Sequence, residues 1–184
     1  MVLIIIGVIG VIALVLFLAF VNIQKSLIAK EERVKNALST IGVQQQSRWA
    51  ALKQLANTVS GYKNHDAETL QAVVEARSGY TPSTPKQINE IEKDFGTAMK
   101  SINVLVENYP ELKADSAFNK MMDSINSYED KVRISRQVYN DTATMLNQEV
   151  RSFPTSIIAN MINIRTYDYL ETPAEKQDMP DLSF

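Results

Sequence analysis

From Met1 to Val21 the chain reads "MVLIIIGVIGVIALVLFLAFV", with no polar side chain. From Asn22 it changes, without a helix breaker, to a mixed pattern with a helical repeat. As a helix the apolar run spans about 31 Å at ~1.5 Å per residue, close to the hydrocarbon thickness of a bilayer. It has no basic residue ahead of it, exceeds the length of a signal-peptide core and is followed by no small-x-small cleavage site. The pattern therefore predicts a retained transmembrane helix over 1–22 rather than a cleaved signal peptide. Beyond it, Leu27, Val34, Leu38, Ile41, Trp49, Leu52, Ala56 and Val59 keep roughly heptad spacing among charged residues. One rod is expected to leave the bilayer and continue as the first helix of a bundle.

Gly61 and Asn64 are stop signals for that rod, and Asp66 can cap a second helix through "AETLQAVVEAR". If the chain bends there instead, the helix count falls from four to three. "SGYTPSTP", Ser78 to Pro85, is a loop of glycine, proline and hydroxyl residues. A third helix is predicted from about Lys86 to Glu107, with Ile88, Ile91, Phe95, Met99, Ile102 and Leu105 on one face. Pro110 ends it and turns the chain at "NYPEL". A fourth helix, from about Asp115 to Ser152, carries an apolar seam of Phe118, Met122, Ile125, Val132, Tyr139, Leu146 and Val150. No stretch alternates long enough to form a strand. The expected fold is all-α: an N-terminal transmembrane helix continuing into an up-and-down, antiparallel four-helix bundle over 23–152.

Two segments follow the bundle. Residues 153–167 hold Phe153, Ile157, Ile158, Met161 and Ile162, too short to span a membrane and too apolar for free coil. In a four-helix arrangement Phe153 returns toward the bilayer, so these five residues are candidates for the membrane interface. In a three-helix arrangement the same segment caps the distal end; packing onto the bundle and contact between protomers are further alternatives. Residues 168–184 are acidic and proline-containing, with little apolar surface to offset ordering entropy, and are expected to be disordered.

Composition narrows the chemistry. The 184 residues include no cysteine, one histidine and six glycines, with a net charge of −2. Zero cysteines exclude disulfides, thiolate zinc sites and a cysteine nucleophile. A near-neutral balance provides no electrostatic footprint for nucleic acid. A carboxylate-bridged di-metal bundle needs two Glu-x-x-His motifs, and His65, the only histidine, has no glutamate three residues before it. No G-x-S-x-G elbow, phosphate loop or dinucleotide fingerprint appears. No catalytic, cofactor-binding or metal-binding residues are assigned, and the chain is read as a non-enzyme. Lys25, Lys30, Arg33 and Lys35 closely follow the apolar run while nothing basic precedes it. By the positive-inside rule the N-terminus lies outside and the bundle in the cytoplasm.

The fourth helix also carries ordered polar residues. "YPELKADSAF", then Glu129, "SRQVYN", Asn147 and "RSFPTSIIA" follow close to the order Y-P-x-L-K-A-x-x-x-F, a glutamate, R-x-x-Y-N, an asparagine and R-x-F-P. In this the chain resembles the LemA family of bacterial membrane proteins, from about Lys25 to Ala159. The first helix, "SLIAKEERVKNALSTIGVQ", looks like the family's opening; beyond it only Arg48 remains of a usual basic pair, and Lys53 stands where a proline is usual. A glycine-phenylalanine pair usual after the last apolar segment is replaced near Asn163 and Ile164. The resemblance implies one N-terminal helix in the bacterial inner membrane and an up-and-down bundle. It implies no particular activity, although some members are associated with magnetosome membranes.

Glu129, Arg133, Arg136, Asn140, Asn147 and Arg151 are separated by steps of four, three, four, seven and four, which puts them on one helix face. A solvated face is the plain reading. Asparagine is a poor helix former with no reason to recur there, however, and Glu129, Arg136, Asn140, Asn147 and Arg151 are the positions of the family pattern. Buried amides and guanidiniums must be satisfied, so such a stripe can select helix register within the bundle or between protomers. Asn36, Gln44 and Arg48 are the candidate partners on the first helix. The expected function is a single-pass, membrane-anchored scaffold or membrane-organising protein acting by self-association. Its expected partners are the lipid bilayer, further copies of itself and a possible protein partner, with no nucleic acid. The alternative is a cytoplasmic-facing module that binds or senses a small ligand or signalling partner.

Overall fold

The computed structural model describes residues 1–59, 74, 82 and 84–171. Helix α1 runs unbroken from Val2 to Val59, so the apolar run and the amphipathic rod are one helix. It is the one helix among the described residues long and apolar enough to cross a membrane. Helix α2, Pro85–Asn108, starts where Thr84 accepts a hydrogen bond from the Gln87 amide, with Pro85 in the first turn where its missing N–H costs nothing. A 3₁₀ turn, Pro110–Ala114, replaces the α-helix where proline forbids it. Helix α3, Ser116–Arg151, is the expected fourth helix. Asp115 caps it by accepting from the Ala117 and Phe118 amides at 2.7 and 3.3 Å. A short helix α4, Thr155–Met161, completes the set. The described residues contain no strand, and the fold is an all-α, up-and-down bundle. The expected second helix, with Gly61, Asn64, His65 and Asp66, lies outside the described residues, as do 172–184.

Packing divides the chain into two units: 1–36 with 140–168, and 37–139 with the residues from Tyr169 onward. In the second, the core unit, Leu52, Leu55 and Ala56 of α1, Ile91, Phe95, Ala98, Ile102 and Leu105 of α2, and Phe118 and Ile125 of α3 bury their side chains together. Trp49 meets Phe95 edge to face, with ring centroids 5.3 Å apart, as aromatic quadrupoles prefer. The heptad-spaced seam is largely this core. Leu38, Met99, Met122 and Val150 are only half-buried, while Ala37, Leu55 and Ala98 join the buried set.

In the N-terminal unit Leu27 and Val34 of α1, Ala143 and Leu146 of α3, and Ile158, Ala159 and Ile164 are buried. Asn163 adopts a left-handed backbone, φ 57°. It closes α4 as a Schellman motif: the Ile164 amide donates to the Ala159 carbonyl at 2.9 Å and the Asn163 amide to that of Asn160 at 3.3 Å. Beyond glycine, asparagine is among the few residues that adopt this conformation readily. Of the tail expected from residue 168, only 168–171 are described. Leu170 is buried, and its apolar surface ties down a stretch that reads as acidic coil.

Candidate functional site

Arg48 organises the core unit. It lies on α1 one turn beyond Gln44, between Ile41 and Leu52, and its side chain is wholly buried. Its Nη2 donates to Glu92 Oε2 at 2.8 Å and its Nη1 to Glu92 Oε1 at 3.2 Å, a forked pair across to α2. Nη1 also donates to Glu129 Oε2 on α3. The guanidinium carbon sits 3.8 Å from the centre of the Phe95 ring, so one face of the cation is covered by an aromatic surface. Three helices thus converge on one cation, and the two carboxylates keep 12% and 29% of their side-chain surface exposed.

Arg136, two turns beyond Glu129, is the second buried cation of this unit. Its Nη2 donates to Asn89 Oδ1 at 3.2 Å and to the Glu171 carbonyl. Burial pulls its pKa below the ordinary arginine value; the Glu92 carboxylate opposes that shift, Arg48 adds to it, and Glu129 opposes it. Gln45, also buried, donates to the Ile88 carbonyl of α2 at 3.4 Å.

In the N-terminal unit the amide of Asn147 pairs with the backbone of Tyr167 in both directions. It donates to the Tyr167 carbonyl at 2.9 Å and accepts from its N–H at 2.8 Å, substituting for a strand partner. The Tyr167 hydroxyl donates to Glu31 at 3.3 Å. Burial first, and then the Glu31 charge, raise the phenol's pKa, while Lys35 lowers it. Lys30 forms an ion pair with Glu149.

The stripe is therefore not uniform. Glu129, Arg136 and Asn147 point into in-chain contacts, Asn140 is half-buried, and Arg133 and Arg151 are exposed, Arg133 beside an exposed Asp130. Arg48 on α1, one of the three candidate partners, reaches Glu129 of the stripe. Glu92, Asn89 and Gln45 are site residues that the stripe on the fourth helix does not reveal. Two of them carry a sequence signature of another kind: Gln45 lies four residues after Ile41, and Glu92 four after Ile88, polar residues in step with an apolar seam. The acceptor role of the Glu171 and Tyr167 backbones has no sequence signature. Of the apolar candidates, Ile158 is buried, Ile162 half-buried, and Phe153, Ile157 and Met161 exposed. Among the described residues no three histidine, aspartate or glutamate side chains gather as a metal set.

The ordered positions Glu129, Arg136, Asn140 and Asn147 fall within residues 37–184, the stretch that the sequence model of the LemA family matches. The chain belongs to the LemA family. It is 25% identical over 152 residues to protein LemA of Metamycoplasma hominis, which covers 82% of this chain and 69% of that protein. It is 30% identical over 81 residues to magnetosome protein MamQ 2 of Paramagnetospirillum magneticum, covering 44% of this chain and 30% of that protein. MamQ of Magnetospirillum gryphiswaldense is 27% identical over 81 residues. With its apolar α1, this LemA-family chain is a membrane-associated helical protein.

Proposed function

We propose that this LemA-family chain is a single-pass membrane protein whose bundle stands on the cytoplasmic side. It acts as a non-catalytic scaffold that organises the membrane by self-association. In this reading the polar stripe works inside the chain. Arg48, Glu129, Arg136 and Asn147 fix the register of helices within one protomer, as buried polar groups with specific partners can. The observation that carries self-association is on the outer side of α3. Ile134 and Val138, one turn apart, are 53% and 48% exposed and present adjoining apolar side chains on that face. Lys25, Lys30, Arg33 and Lys35 after the apolar run support the cytoplasmic orientation.

Light scattering on the full chain in mild detergent tests this. The expected result is a defined assembly larger than one protomer that reverts to protomer mass when Ile134→Glu and Val138→Glu are introduced together. A wild-type chain that is monomeric at every concentration overturns self-association.

A second reading, a binding or sensing module, is supported by a different observation. Among the described residues Arg136 Nη1, Arg48 Nε and Gln45 Oε1 are buried without a hydrogen-bond partner. Such atoms can hold a small polar ligand. A ligand that co-purifies in stoichiometric amount, and is lost on Arg136→Met, selects this reading over the first.

A further inference from the structure

We infer that α4 is a second membrane contact: Phe153, Ile157 and Met161 rest in the interface of the same bilayer that α1 crosses. The three residues recur at steps of four and are 82%, 54% and 68% exposed. On the other side of the same short helix Ile158 and Ala159 are buried. The helix is therefore apolar on two sides, one packed against protein and one left outward. An outward apolar face is stabilised only where water is excluded from it.

The height of α4 within the N-terminal unit identifies what excludes the water. Lys30 pairs with Glu149, and the Tyr167 hydroxyl reaches Glu31, so the end of α3 and the segment after α4 lie beside the same turn of α1. Lys30 is nine residues beyond Val21, where the apolar run ends, about 14 Å at ~1.5 Å per residue. In the up-and-down arrangement α3 descends toward the membrane helix to its end at Arg151, about 3 Å below Glu149, and the turn that follows carries Phe153 up to about 3 Å further. That leaves Phe153 roughly 8 Å above the hydrocarbon edge, against a polar layer of about 5–7 Å on each side of the core. A side chain bridges the difference. Lys25 and Arg151, both exposed, stand in the same membrane-proximal region and are the cations that suit anionic headgroups. Two contacts, a spanning helix and a short interfacial one, would fix the tilt of the N-terminal unit over the membrane, which a spanning helix alone leaves free.

The absence of cysteine allows a direct test. Single substitutions Phe153→Cys, Ile157→Cys, Met161→Cys and, as reference, Met145→Cys are spin-labelled in the full chain, reconstituted in nanodiscs of mixed phosphatidylcholine and phosphatidylglycerol. Met145 is 56% exposed but two turns of α3 above Phe153. The expected result is that labels at 153, 157 and 161 collide with oxygen more than with a water-soluble nickel chelate, and the label at 145 does the reverse. Labels at 157 and 161 that behave like the one at 145 overturn the inference. Protection from both reagents, with spin–spin broadening that disappears on dilution with unlabelled protein, also overturns it: the face would then be covered by a second copy. Made in a chain that also carries Ile134→Glu and Val138→Glu, which opens the α3 face shared by Met145, the labels report the interfacial contact apart from self-association, so the two fail separately.

Discussion

Replacing Arg48 by methionine should destabilise the core unit more than any single surface change. Methionine keeps most of the side chain's apolar stem, and hence its packing, but removes the cation to which Glu92 and Glu129 point. Both carboxylates would then face a low-dielectric surround without that cation. Breaking a buried pair in this way costs about 3–5 kcal/mol. Glu129 and Glu92 retain some exposure to water, 29% and 12%, which moderates the penalty. The lower end, about 3 kcal/mol, is the expected value. With ~2–4 °C per kcal/mol for a chain of this size, the melting midpoint should fall by about 6–12 °C. The assay is thermal unfolding followed by circular dichroism on the full chain in mild detergent, where the membrane helix persists and the bundle signal is lost. Adding Glu92→Gln and Glu129→Gln to Arg48→Met should restore much of the loss, because the penalty belongs to stranded charges rather than to missing packing. A midpoint for Arg48→Met within about 1 °C of wild type, or no recovery in the triple variant, would refute the reasoning.

Three further outcomes are expected. Asn147→Ala removes two hydrogen bonds to the Tyr167 backbone, a loss of about 2 kcal/mol at ~1 kcal/mol each, and amide exchange at Tyr167 should accelerate while exchange in the core of α2 does not. Asn163→Gly should leave stability unchanged or slightly raised, whereas Asn163→Val should cost more than about 1 kcal/mol, on the order of the left-handed backbone penalty for a β-branched residue; melts of the two variants check it. The raised pKa of Tyr167 means its contribution is fully present below the ordinary tyrosine range, about pH 10, and is lost as pH rises through the higher folded value. Tyr167→Phe should therefore flatten the alkaline fall in stability and remove one late-titrating phenolate from the ultraviolet absorbance titration.

Much of the fold is legible in the chain. A 21-residue run without a polar side chain can be little else than a long exposed apolar helix, and heptad-spaced residues from Leu27 to Ala56 continue it because no proline or glycine cluster intervenes to break it. Pro85, Pro110 and Asp115 mark helix ends by local chemistry: a missing N–H or a side-chain acceptor acts within a turn of its own position. The candidate site is half legible. Glu129, Arg136 and Asn147 stand out because guanidinium and amide groups recur at helical spacing, but spacing says only that they share a face. Glu92 and Gln45 are hidden among apolar neighbours whose period they share.

What the sequence by itself determined is therefore the set of elements and the presence of an anomaly: a long membrane-compatible rod, two shorter bundle helices among the described residues, and polar groups where a solvated face was the simpler reading. These depend on periodicity and on interactions reaching three or four residues. The tertiary structure alone decided where those polar groups find partners. Arg48 meets Glu92 forty-four residues away and Glu129 eighty-one away, and Asn147 holds a backbone segment twenty residues on. A backbone carbonyl carries no side-chain identity, so nothing in the sequence marks Glu171 or Tyr167 as the acceptor. The same holds for α4: seven residues with apolar groups on both sides, whose division into a buried and an exposed face was set by the neighbours it packs against.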